Sequence, residues 1–80
     1  MERGSMIIEE LSGYRAVAYR NWRMEMYYDA PQRIVDEGSF LRIGELHIIE
    51  KFGICGVEKD GNRVLIGYDD GKFVEVTVLG

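Results

Sequence analysis

One cysteine, one histidine and one proline among 80 residues is a short supply, and each shortage removes a class of chemistry. Cys55 alone can form no intrachain disulfide, whereas small secreted domains are commonly stapled by several, so a reducing, cytoplasmic setting is expected. Structural zinc wants four cysteine or histidine ligands, and only His47 and Cys55 are on offer. No metal and no cofactor is expected. His47 reads as an exposed histidine on a polar strand face, and Cys55 as a small residue packed inside a strand.

Catalytic patterns are missing as well. Ser12 and Ser39 lie in no G-x-S-x-G elbow, and one histidine would have to serve every triad that could be drawn. The remaining nucleophile and base, Cys55 and His47, would need a depressed thiol pKa and an open cleft. The carboxylate pairs Glu9-Glu10, Asp36-Glu37 and Asp69-Asp70 are sequence neighbours, which in a strand point to opposite faces. Glycine-rich phosphate loops are absent too. The chain is therefore expected not to be an enzyme.

Long hydrophobic runs and excess positive charge are also lacking. No apolar stretch approaches the ~20 residues of a membrane helix, and no apolar leader segment is visible. The net charge is -4 and the pI about 4.9, which disfavours coating of nucleic acid or of an anionic membrane. The opening MERGSM contains a Gly-Ser-Met junction, so residues 1–5 read as a cloning remnant or a disordered N-terminus. Residues 6–80 read as one domain, small enough that association with further copies is a natural way to cover apolar surface.

What is present points to strands. ELHIIEKF, GICGVEK, RVLIGY and KFVEVTV are short, β-branched runs separated by Gly53, KDGN and DDGK. Asp60-Gly61 and Asp70-Gly71 are expected at the centres of type I′ hairpin turns, because those need positive φ. Val74, Val76 and Val78 alternate with Glu75 and Thr77, and Val64, Ile66 and Tyr68 with Arg63 and Gly67, so a valine and isoleucine face looks inward. Gly53 and Gly56 mark a bulge or bend.

Towards the N-terminus, MIIEEL reads as a helix closed by Gly13 or as a first strand, with the strand expected. YRAVAYR and RMEMYY form a hairpin reversing at Asn21-Trp22. Residues 30–37 read as a short helix with Pro31 in its first turn and Gly38 beyond its end, or as an irregular loop. The fold class is all-β with at most one short helix: a small SH3-like barrel or a small antiparallel sandwich, ending in a β-meander. GNRVLIGYDDGKFVEV is similar to a hairpin of the SH3-like and Sm-like small barrels; the likeness is architectural and carries no function.

One segment stands out. YRNWRMEMYY, residues 19–28, holds four aromatics, and residues 14–28 carry +2 while the remainder carries -6. In the expected hairpin Tyr19, Arg23 and Tyr27 share the outward face with Trp22 at the tip. Tyrosine, tryptophan and arginine are enriched at binding hot spots, since they bring rigid apolar area with a hydrogen-bonding end. Tyr19 and Trp22 are expected as anchors for a protein partner or a second copy, Tyr27 as a further contact, and Arg20 and Arg23 as a rim suited to an acidic or carbonyl-rich partner. The alternative is a single-stranded nucleic-acid binder in which bases stack on the same aromatics. The plainest reading is a solvated face held by cross-strand and cation-π pairs.

Overall fold

The computed structural model describes residues 3–79, with side chains from residue 7 onward. One helix, α1 (Arg3–Leu11), precedes seven strands: β1 (Arg15–Asn21), β2 (Glu25–Asp36), β3 (Phe40–Ile43), β4 (His47–Glu50), β5 (Ile54–Asp60), β6 (Arg63–Tyr68) and β7 (Phe73–Leu79). They form one antiparallel sheet in the order β4-β3-β2-β1-β7-β6-β5. The fold is all-β as expected, and the sheet is open, with β4 and β5 as its edges.

Residues 6–11 belong to the helix and not to a first strand, and the helix starts at Arg3, inside the segment set aside as a remnant. Ile8 and Leu11, three positions apart, fall on one helical face and are fully buried, while Glu9 and Glu10 are exposed. Gly13 ends the helix with φ 87, and its N–H reaches the carbonyl of Ile34 at 2.6 Å. The helix packs against β5.

Residues 30–37, read as a short helix or an irregular loop, are instead strand as far as Asp36, forming the second half of β2. Ile34, Val35 and Asp36 pair with Ile43, Arg42 and Leu41, so long-range pairing of β-branched residues wins over the cap-like Pro31 and Gly38. Pro31 falls where β2 is unpaired: between Ala16↔Gln32 and Ala18↔Tyr27, Val17 stands opposite Tyr28, Asp29, Ala30 and Pro31. Above this break β2 pairs with β1, and below it with β3 as well.

Val17 is also an extra residue against β7, since Ala16 pairs with Val78 and Ala18 with Thr77. Such a bulge inverts the inside and outside alternation for everything beyond it. Ala16 therefore points inward and so does Tyr19, while Ala18 and Arg20 turn out.

Two turns differ from expectation. At the β5–β6 hairpin Asp60 pairs with Arg63, which leaves Gly61 and Asn62 as the central residues, with only Gly61 at positive φ (62). That is the type II′ pattern, and Asp60 is a strand residue. At the β6–β7 hairpin Gly71 (φ 89) follows a turn closed by its N–H to the Tyr68 carbonyl at 3.1 Å. Tyr68 N donates to the Lys72 carbonyl at 2.9 Å, so Asp69, Asp70 and Gly71 make the reversal, with glycine in the left-handed position. Cys55, set aside by a register shift between Ile54 and Gly56, is exposed and does not pack inside the strand. The bulge expected beside Gly56 is there.

The core joins Ile8 and Leu11 to Ile34, Leu41, Ile43 and Ile49 from one half of the sheet and to Val64, Ile66, Val74, Val76 and Val78 from the other. Across this core two tyrosines reach edge strand β4: Tyr19 Oη donates to the Ile48 carbonyl at 3.0 Å, and Tyr68 Oη to the Glu50 carbonyl at 2.5 Å.

Candidate partner-binding groove

The β1–β2 reversal falls one residue beyond the expected Asn21-Trp22, because Asn21 still belongs to β1, and its chemistry is local. Asn21 Oδ1 accepts from the main-chain N–H groups of Arg23 and Met24, each at 2.8 Å, and Asn21 N donates to the Met24 carbonyl at 2.9 Å. Trp22 and Arg23 are thereby held as the two central residues, both with negative φ. Trp22 is 41% exposed. Its ring lies 4.0 Å from the Arg23 guanidinium carbon and 4.6 Å from Lys72 Nζ, so two cations occupy the indole.

The five expected contact residues do not form one patch. Trp22 and Arg23 border a groove, whereas Arg20 and Tyr27 lie on the opposite, outer face of the sheet. There Arg20 is in an ion pair with Glu25 and 3.9 Å from Glu75; Tyr27 is 70% exposed. Tyr19, expected outward, is 3% exposed: the Val17 bulge turns it into the core. Only the hydroxyl end of Tyr19 reaches towards the groove.

The groove, about 540 Å³, runs between the Trp22 turn, edge strand β4 with the Phe52-Gly53 connection, and the β6–β7 loop. Phe52 is 90% exposed and Ile48 46% exposed. Gly53 (φ 84) forms the sharp corner after Phe52, and its carbonyl accepts from Asp69 N at 2.9 Å, which ties that corner to the loop. Sequence reasoning missed Ile48, Glu50, Phe52 and Asp69. The available signal was Phe52 itself, a large aromatic just before a turn glycine in EKFG, where burial is hard to arrange.

No protein-family model, curated protein or solved structure matches the chain. The reading of the site therefore rests on its own geometry.

Behind the groove sits an aromatic cluster. His47, expected on an exposed polar face, is half-buried, with its ring 5.0 Å from that of Tyr19 and 5.9 Å, edge-on, from that of Tyr28. Tyr28 Oη and His47 Nδ1 are 3.2 Å apart. Burial pushes the Tyr28 hydroxyl up to about 12. Burial likewise raises Tyr19, with the Glu50 charge adding to the effect against a hydrogen bond from Asn21. It also raises Tyr68, helped by the surrounding hydroxyl and carboxylate groups. All three stay protonated at neutral pH.

Among the described residues no group of three or more histidine, cysteine, aspartate or glutamate side chains is arranged to hold a metal ion. No helix among them is long and apolar enough to cross a membrane.

Proposed function

We propose that this chain is a small, non-enzymatic interaction module that binds a protein partner through the groove beside the Trp22 turn. The observation that carries the reading is that two exposed aromatics, Trp22 and Phe52, flank one concavity with Ile48 between the turns that hold them. Rigid aromatic anchors around a groove are the usual core of a binding site. Each lip is fixed by hydrogen bonds, to the Asn21 side chain on one side and between the Asp69 and Gly53 main chains on the other. Little ordering is then required on binding. A cytoplasmic setting agrees with an exposed free thiol at Cys55, which a reducing compartment keeps from oxidising.

A second copy of the chain is one partner this surface could take, and single-stranded nucleic acid is the alternative. Trp22 with Arg23 and Lys72 favours the latter. The carboxylates of Glu50, Asp69 and Asp70 in the same groove weigh against a polyanion.

The test is a displayed-peptide selection on the wild-type chain, with light scattering to report self-association. The double substitution Trp22→Ala with Phe52→Ala should weaken the selected peptides by about 2 kcal/mol or more, roughly thirtyfold in Kd, while thermal unfolding stays cooperative. Equal affinity for wild type and double variant would remove the groove from consideration.

A further inference from the structure

The groove is apolar in its anchors but its charges are unevenly committed. Three carboxylates (Glu50, Asp69 and Asp70) and two cations (Arg23 and Lys72) line it. Both cations are engaged within the chain: Arg23 lies on Trp22, and Lys72 lies on the same ring while its Nζ is 3.2 Å from Asp70. Arg20 is committed to Glu25 and Glu75 on the far face. Among the described residues Glu50 and Asp69 take part in no ion pair.

The placement of these two carboxylates is specific. A Cβ built on Gly53 would lie 3.4 Å from Asp69 Oδ1, so the Asp69 carboxylate stands against the corner that presents Phe52. The Glu50 carboxylate is close enough to Tyr19 and Tyr68 for its charge to bear on both hydroxyls. Phe52 itself has open ring faces, being 90% exposed. An aromatic face beside uncommitted carboxylates attracts a cation through both the ring quadrupole and the charge. An acidic segment would face those carboxylates unless it drew Arg23 and Lys72 off the indole.

Resting on the reading of the groove as a binding site, we infer that its partner is a cationic peptide segment, one that lays an arginine or lysine against Phe52 between Glu50 and Asp69 and an apolar side chain against Ile48 and Trp22. This reverses the polarity that the arginines of the hairpin suggest in the sequence, because those arginines are occupied.

Trp22 emission provides the readout. Three decapeptides are compared, alternating leucine with arginine, with glutamine or with glutamate, at low and high salt. The arginine peptide should bind roughly tenfold or more tightly than the glutamine peptide, with salt eroding the difference, and the glutamate peptide should bind most weakly. The double substitution Glu50→Gln with Asp69→Asn should remove the arginine preference. The double substitution Glu58→Gln with Asp60→Asn, which makes the same change in net charge away from the groove, should not. Equal binding of the arginine and glutamine peptides, or equal effects of the two double substitutions, overturns the cationic assignment and leaves the groove standing. If neither these peptides nor any displayed peptide binds in a way that depends on Trp22 and Phe52, the groove and its proposed partner fall together.

Discussion

The hydroxyl of Tyr19 on β1 donates to the main-chain carbonyl of Ile48 on β4 at 3.0 Å, although β2 and β3 lie between those strands in the sheet. A bond between strands three places apart is possible only because the sheet rolls until its own edge comes round to its middle. Tyr68 does the same for Glu50. Lys51 N bonds Ser39 on the β3 side, so alternate residues 48 and 50 direct their carbonyls away from β3, where a bare edge would invite another strand. The two phenols cap those acceptors.

Replacing Tyr19 by phenylalanine keeps the ring and removes the donor. Stability in urea should fall by about 1 kcal/mol, and Tyr68→Phe should cost a similar amount, with little change in the denaturant slope. Loss of hydrogen-exchange protection should concentrate in β4. Unchanged stability in both variants would show that these bonds are no better than water.

The same burial makes the fold sensitive to alkali. Tyr28 is raised to about 12, and Tyr19 and Tyr68 are raised as well, by burial first. A folded-state pKa above the unfolded value of ~10 means that the stabilisation is complete below that pH and is lost as pH rises through the folded values. Urea midpoints should therefore decline between pH ~10 and ~12, and tyrosinate absorbance should lag behind that of the unfolded chain. Tyr28→Phe should make the decline shallower.

At the acid end Asp36 is one of two carboxyls, with Asp70, held below the ordinary range. Its carboxylate accepts from Gly38 N at 2.9 Å and from Lys51 Nζ at 3.0 Å, and these hold its pKa below the ordinary carboxylate range, the Gly38 bond first. A depressed pKa gives stabilisation that is present above pH ~4 and lost as pH falls through the folded value. In an NMR titration Lys51→Met should raise the Asp36 midpoint only part of the way to that of a free carboxyl, since the Gly38 bond remains. Full restoration would assign the whole shift to the lysine.

Glycines 53 and 56 offer a matched contrast on either side of Cys55. Gly53→Ala places a Cβ at φ 84 beside Asp69 and should cost about 1 to 3 kcal/mol. A Cβ on Gly56 meets nothing within 4 Å, and Gly56→Ala should stay within about 0.5 kcal/mol of wild type. Thermal melts of the two variants separate a conformational requirement from a merely small side chain.

These contrasts also mark what the sequence could reveal. From Ile54 onward the meander was legible because its alternation is local: Val64 and Ile66 face Val76 and Val74 as the pattern requires. The run ELHIIEKF, read as its first strand, instead pairs with β3 and lies at the opposite edge of the sheet from β5. In the N-terminal half the β1–β2 hairpin was legible, but the segments on either side of it were not. Residues 6–12 have apolar positions compatible with either period, Pro31 and Gly38 mimic helix punctuation, and Val17 carries no residue signature of the bulge that buries Tyr19. The groove was hidden for a different reason. It assembles three turns far apart in the chain, near residues 22, 52 and 70, so its hairpin tip could be read while its opposite wall could not.

The pairing of β1 with β7, which sets Arg15 beside Leu79, bears on the order of events during synthesis. Strands β1 to β4 can form their hairpins as they emerge, but one flank of β1 stays bare until β7 has been made. Completion of the sheet is consequently a late step that waits on a pairing between the two ends of the strand region, which favours slow over early closure.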